Sequence, residues 1–167
     1  MNFYQDREIQ MIFGISGGDI ANEILPYLDF EVIAENPKPF WGYSDLTTIM
    51  NAIYAKTGVR SVLYQIRNLL REDGKTQITN FTSTIFDGTN HLFSFEYQFI
   101  QGERLEGIVV GGNIRCLLKL AGTEYWPDMT NKVLLLEAFG GTVPQMTTYL
   151  NLSLIHISEP TRLALIS

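Results

Sequence analysis

The stretch Pro39-Phe40-Trp41-Gly42-Tyr43-Ser44-Asp45-Leu46-Thr47-Thr48 places a serine where strand-like residues give way to helix-like ones. Pro39 to Tyr43 suit a strand, and Leu46, Ile49, Met50, Ile53 and Thr57 then recur with a helical period. Such a corner can hold a hydroxyl proud of the fold, with the next backbone N–H aimed at whatever the hydroxyl attacks. The Gly-x-Ser-x-Gly elbow pattern is incomplete here, because its second glycine is missing. A plain helix N-terminus is the competing reading of the same residues. Three more segments carry comparable chemistry: Gly17-Gly18, Gly111-Gly112-Asn113, and Leu136-Glu137, which ends in a carboxylate. Ligand sites in open α/β folds collect at the carboxyl ends of strands, so these segments could converge. Each also has an ordinary alternative: glycine pairs make tight turns before helices, and a strand-end glutamate is often a solvated charge.

The elements that must position these residues can be read from the pattern. Met11 to Ile15 is a short apolar strand. Asp19 could cap a helix with the apolar face Ile20, Ile24, Leu25 and Leu28, which Pro26 kinks or ends. After Phe30 to Ile33 and the loop Asn36-Pro37-Lys38-Pro39 comes the strand that ends at Ser44. This strand–helix–strand–helix rhythm predicts a parallel α/β layer. Val59 to Ile66 is strand-like. From Thr76 to Phe99 the composition turns to Thr, Phe and Tyr around Asp87-Gly88-Thr89-Asn90, which predicts a β-rich connector or hairpin. Leu105 to Val110 is a strand, Ile114 to Leu120 a helix, and Lys132 to Leu136 a last strand. Cys116 is expected to be a half-buried helix residue, and Trp126-Pro127 to be core or the lip of a cleft.

Composition excludes several classes. With 12 basic against 18 acidic residues the net charge is −6, which argues against nucleic acid as a partner. The longest apolar runs, such as Val133-Leu134-Leu135-Leu136, are too short to span a bilayer, and no signal peptide is expected from the opening residues. One cysteine and two scattered histidines offer neither an internal disulfide nor a metal cluster, and no P-loop follows the glycine pairs. The expectation is a cytoplasmic protein with no metal and no cofactor.

The motifs taken in order resemble the LD-carboxypeptidase family of serine peptidases, which includes the microcin-C self-immunity peptidases. The matching segments are Ser16-Gly17-Gly18, Leu25-Pro26-Tyr27-Leu28-Asp29, Asn36-Pro37-Lys38 and Gly42-Tyr43-Ser44-Asp45-Leu46-Thr47. Further on they are Glu106-Gly107, Gly111-Gly112-Asn113, Gly122-Thr123, Pro127-Asp128 and Leu134-Leu135-Leu136-Glu137. The resemblance implies an α/β fold with a parallel-sheet, flavodoxin-like or class I amidotransferase-like N-terminal domain, incomplete here, and the start of a smaller β/α C-terminal domain. On that reading residues 1–75 bear the nucleophile, 76–103 are the β-rich connector, and 104–151 open the C-terminal domain. It implies a Ser–His–Glu triad with Ser44 as nucleophile and Glu137 as the carboxylate that orients the histidine. The N–H of Asp45 and one from Gly17-Gly18 would form the oxyanion hole, and the Gly-rich segments, including Gly111, Gly112 and Asn113, would bind substrate. The implied substrate is a small peptide: a murein tetrapeptide or a peptidyl- or aminoacyl-nucleotide. Asn22-Glu23-Ile24-Leu25-Pro26 and Leu136-Glu137-Ala138-Phe139-Gly140-Gly141 lean toward the immunity-type branch, and the family's habit allows a homodimer in the full-length protein.

The chain also departs from that pattern. Leu152 to Arg162 reads LSLIHISEPTR, one reading frame of a common transposase sequencing adapter, so residues 152–167 are read as translated adapter and not native protein. The family's catalytic histidine lies beyond that point. His156 falls inside the tail, and His91 is expected to be exposed in a turn. The family begins upstream with a strand and helix that Met1-Asn2-Phe3-Tyr4 does not supply, and its Gly-Pro pair has no counterpart in Leu63-Tyr64-Gln65-Ile66. The expectation is a peptidase fragment lacking its base. The alternative is a non-catalytic α/β domain that holds a nucleotide or another anion at helix N-termini.

Overall fold

A computed structural model describes residues 2–156 and the backbone of 162–164. The chain opens with α1 (Asn2–Gln5), β1 (Ile12–Phe13), a 3-10 stretch (Ala21–Tyr27) and α2 (Phe30–Glu35). It continues through β2 (Phe40–Gly42), α3 (Thr47–Thr57) and β3 (Val62–Leu63). Strands β1, β2 and β3 form a parallel sheet in that order, with Phe13 opposite Trp41 and Gly42 opposite Leu63. A second parallel sheet has the order of β4 (Ile108–Asn113), β5 (Lys132–Glu137) and β6 (Arg162–Ala164). Between the sheets in sequence lies α4 (Lys75–Phe86), while α5 (Ile114–Leu118) and α6 (Val143–His156) belong to the second half. The parallel α/β expectation therefore holds for both halves.

Helix α3 is the centre of the molecule, as its composition requires. Ile53 packs with Tyr4 and Ile33, Ala52 with Leu25 and Leu120, and Tyr54 against the cluster of Val110, Leu117, Met129 and Leu134. Fully burying a side chain such as Ile33, Leu117 or Leu134 is worth about 2 kcal/mol. A helix packed on several sides needs no single apolar stripe. The face left over carries Thr47, Thr48 and Asn51, all buried.

The structure corrects several expectations. Residues 75–86 form a helix, not a hairpin strand, and no described strand lies between Leu63 and Ile108. Ile78, Phe81 and Ile85 have helical spacing, and Phe81 closes on Phe13, Trp41 and Tyr64 at ring separations of 6.2, 5.9 and 5.9 Å. Asp87 then caps the helix C-terminus. Residues 30–35 are helical because the Asp29 side chain accepts from Val32 N at 3.0 Å. Asp19 caps nothing: the 3-10 stretch starts after Ile20, and Pro26 sits inside it. Val59 to Ile66 yields only the two-residue β3. Cys116 is fully buried, which pushes its thiol up to about 11 and leaves it a protonated packing residue at neutral pH. Trp126 packs into two apolar clusters instead of lining a cleft.

Helix α6 runs through Asn151 without a break, and β6 pairs with β5, so the adapter-like segment has helical and strand backbone where it is described. Ser153 is buried, with its hydroxyl donating to Leu150 O at 2.7 Å, while Leu152, Leu154 and Ile155 remain exposed. Residues 157–161 and 165–167 of that segment lie outside the described residues.

Candidate active site

Ser44 sits at the corner between β2 and α3. Tyr43 is fully extended (φ −154°, ψ 171°), Ser44 turns to φ +52°, and a 3-10 turn over Ser44–Leu46 leads into α3. A non-glycine residue in the left-handed region costs on the order of 1–3 kcal/mol and persists only where its surroundings impose it. The surroundings are visible. Leu46 occupies the position two after the serine where the elbow pattern has glycine, and its side chain fills the space beside Gly42 and Gly14. A Cβ on Gly14 would stand 2.2 Å from Leu46 Cδ1, and one on Gly42 2.9 Å from Leu46 Cβ. Clearance for the tight corner thus comes partly from the residue that follows β1.

The Gly17-Gly18 loop lies against this corner. A Cβ on Gly17 would fall 3.1 Å from both Cβ and Oγ of Ser44 and 3.8 Å from the Asp45 nitrogen. The Asp45 side chain turns inward and is buried. Its Oδ2 accepts from Ala21 N at 2.8 Å, and its Oδ1 accepts from Lys119 Nζ at 2.5 Å. Burial alone would raise the Asp45 carboxyl, but the Lys119 ammonium and the Ala21 N–H outweigh it and hold the group below the ordinary carboxylate value. Lys119 Nζ also donates to Asp19 O at 2.5 Å, and Arg115 pairs with the Asp19 carboxylate at 2.6 Å.

The Gly111-Gly112-Asn113 segment forms the end of β4 and is locked to α3. Asn51 Nδ2 donates to Gly111 O and to Thr47 O, each at 2.8 Å, and Gly111 N donates to Asn51 Oδ1 at 2.9 Å. Both backbone groups of Gly111 are therefore taken up inside the protein. Gly112 (φ +125°) lies flat on Thr47, where a Cβ would come within 2.7 Å of Thr47 Oγ1. Asn113 N donates to the same Thr47 oxygen at 3.1 Å, and its own Oδ1 accepts from Cys116 N at 3.3 Å as the N-cap of α5. Asn113 is in register with Glu137, the last residue of β5.

A cavity of about 430 Å³ opens at the carboxyl ends of β2, β3, β4 and β5, and Ser44, Asn113 and Glu137 all line it. Tyr43, Tyr64 and Phe139 supply aromatic walls, with Leu63 and Gln65 beside them. Burial raises the Tyr64 phenol, whose hydroxyl donates to Gln77 Oε1 of α4 at 3.2 Å. The strand-end rule, extended to β3, could have found Leu63, Tyr64 and Gln65. Neither histidine is at the cavity. His91 is exposed with Nδ1 3.3 Å from Ser83 Oγ, and His156 ends α6 with its ring 6.3 Å from that of Trp126.

This geometry defines a parallel α/β protein with a serine, a glycine loop and a carboxylate brought to one set of strand ends. The LD-carboxypeptidase N-terminal domain matches residues 1–64, and the LD-carboxypeptidase C-terminal domain matches residues 106–156. The chain belongs to the LD-carboxypeptidase family. A putative carboxypeptidase of Treponema pallidum is 30% identical over 158 residues, covering 80% of this chain and 47% of that protein. A probable murein peptide carboxypeptidase of Bacillus subtilis is 29% identical over 156 residues, covering 89% and 48%. The microcin C7 self-immunity protein MccF of Escherichia coli is 28% identical over 155 residues, covering 74% and 45%. The chain thus spans about half the length of the curated relatives it matches. The crystal structure of an MccF-like protein from Bacillus anthracis superposes with a TM-score of 0.71 at 27% identity, over 93% of this chain and 57% of that one. No described helix is long and apolar enough to cross a membrane.

Proposed function

We propose that this chain carries the nucleophile side of a carboxypeptidase-type serine hydrolase whose general base is supplied by sequence outside it. The observation that carries the proposal is the strained Ser44, at φ +52°, facing the cavity that Glu137 also lines. Ser44 Oγ attacks the carbonyl carbon of the terminal amide while a neutral imidazole, oriented by Glu137, takes the hydroxyl proton. The carbonyl oxygen becomes negative and is met by backbone N–H groups of Asp45 and the Gly17-Gly18 loop, each worth about 3 kcal/mol in the transition state. The imidazolium returns its proton to the departing amine, and water then cleaves the ester on Ser44. In this reading Gly111 and Gly112 seat β4 on α3, and Asn113 and Glu137 reach the cavity from that seat.

Two substrate classes follow from the relatives: a murein tetrapeptide cut beside its terminal residue, and a peptidyl- or aminoacyl-nucleotide. Structures of MccF in complex with aspartyl sulfamoyl adenosine and with glutamyl sulfamoyl guanosine make the second class concrete. The test compares the 167-residue chain with a version joined after Asn151 to the C-terminal part of a family member. The joined protein is expected to hydrolyse one of the two substrate classes, Ser44→Ala to abolish this, and the unextended chain to show no turnover, since losing a triad base costs roughly 10⁶-fold in kcat. Ser44-dependent turnover by the unextended chain would place the base within it and point to His91.

A further inference from the structure

We propose that Lys119 is a positioning residue that holds the Gly17-Gly18 loop against Ser44. The inference rests on the hydrolase reading above. Residues 14–20 belong to no helix or strand, and Ile15, Gly17, Gly18, Asp19 and Ile20 are all exposed. A loop so free of apolar contacts must be held by polar ones, and they converge on one ammonium. Lys119, with a side chain only 19% exposed, binds Asp45 Oδ1 and the Asp19 carbonyl at once. The other Asp45 oxygen binds Ala21 N. A single ion pair therefore grips the loop at Asp19 and at Ala21, and its carboxylate belongs to the residue next to Ser44. Two ties lie outside this pair: Gly14 N donates to Trp41 O at 2.7 Å where the loop leaves β1, and the Arg115–Asp19 pair is largely exposed and contributes little.

The alternative is that the pair merely stabilises the fold. Buried ion pairs are a poor means to that end, because well-packed apolar residues of similar size commonly do as well or better. What the pair supplies is direction: it joins the nucleophile corner, the glycine loop and α5 through atoms far apart in sequence. The contact it preserves is close, since a Cβ on Gly17 would fall 3.1 Å from Ser44 Oγ, tighter than an ordinary contact. A loop that drifted by one ångström would carry its N–H groups away from the oxygen they should meet.

The test uses the variant Lys119→Met and the double variant Asp45→Asn/Lys119→Met. The double variant removes the orphaned charge and keeps a side-chain oxygen for Ala21 N. Lys119→Arg serves as the conservative rescue and Lys56→Met as a control at an exposed pair. Backbone order parameters of Gly17 and Gly18 in the 167-residue chain are expected to be near 0.85 and to fall below about 0.6 in the double variant. Lys119→Arg should restore them and Lys56→Met should leave them alone. In the joined protein the rate of Ser44 labelling by a fluorophosphonate should fall at least tenfold in the double variant. A folded double variant with unchanged order parameters at Gly17 and Gly18 would overturn the proposal. Failure of Ser44 to label in the unaltered joined protein would instead overturn the hydrolase reading, while the order parameters still decide the tether.

Discussion

The face that α3 turns to β4 and α5 is polar and dry, whereas the segment from Phe93 to Ile100 is apolar and wet. On the first, Thr47, Thr48, Asn51 and Asn113 are buried and every one has a hydrogen-bond partner. On the second, Phe93, Phe95, Tyr97 and Ile100 are between about half and four-fifths exposed, and Tyr97 meets Phe95 and Phe99 edge to face. Apolar contacts tolerate sliding, but a hydrogen bond weakens steeply once its donor and acceptor fall out of line. A seam that must bring Ser44 and Glu137 from separate sheets to one cavity gains more from direction than from oil. The segment from Phe93 onward carries no such duty.

The largest expected effect comes from breaking the seam. Asn51→Ala leaves the N–H and C=O of Gly111 unpaired and should cost about 2–4 kcal/mol, read as a lower urea midpoint at an unchanged m-value. A loss under about 0.5 kcal/mol would mean that water replaces the amide and that the seam is not dry. A smaller effect is expected from acid. Because the folded Asp45 carboxyl lies below its ordinary value of 3.8, the stability it contributes is whole above that value. It is lost as the pH falls through 3.8 toward the lower folded value. Melting temperature followed from pH 6 to pH 2 should show this loss, and Asp45→Asn should flatten that part of the curve. The smallest effect belongs to the other region: Phe95→Ser with Tyr97→Ser should change stability by no more than about 0.5 kcal/mol while reducing light scattering on concentration. A loss of several kcal/mol would show that these rings are core after all.

The difference between the two regions also decides what could be read from sequence. Strand β2, helix α3 and strand β5 were legible because their apolar residues keep one period and their ends carry a serine, a glycine or a carboxylate. Residues 75–86 were not, because Thr, Ile and Phe favour strands by type while their spacing is that of a helix; here the spacing wins, through Phe81 on Trp41. The positions of Ser44 and Glu137 followed from strand ends and family resemblance. The tasks of Gly111 and Asn51 did not, because each is defined by the other across 60 residues. Lys119 was invisible for the same reason, 74 residues from Asp45.

Leu46 shows that the room a tight corner needs can come from two segments of chain. The clearance that an elbow motif normally keeps in its own segment is shared here with Gly14, which belongs to the neighbouring strand's exit. The glycine that makes room for Leu46 sits to one side, at a position that a search along one stretch of chain does not inspect. The corner at Ser44 is therefore built from two segments, and the bulky residue after the serine is accommodated because the adjacent strand leaves on a glycine. A side chain at position 14 would close that room for as long as Leu46 stays where it is.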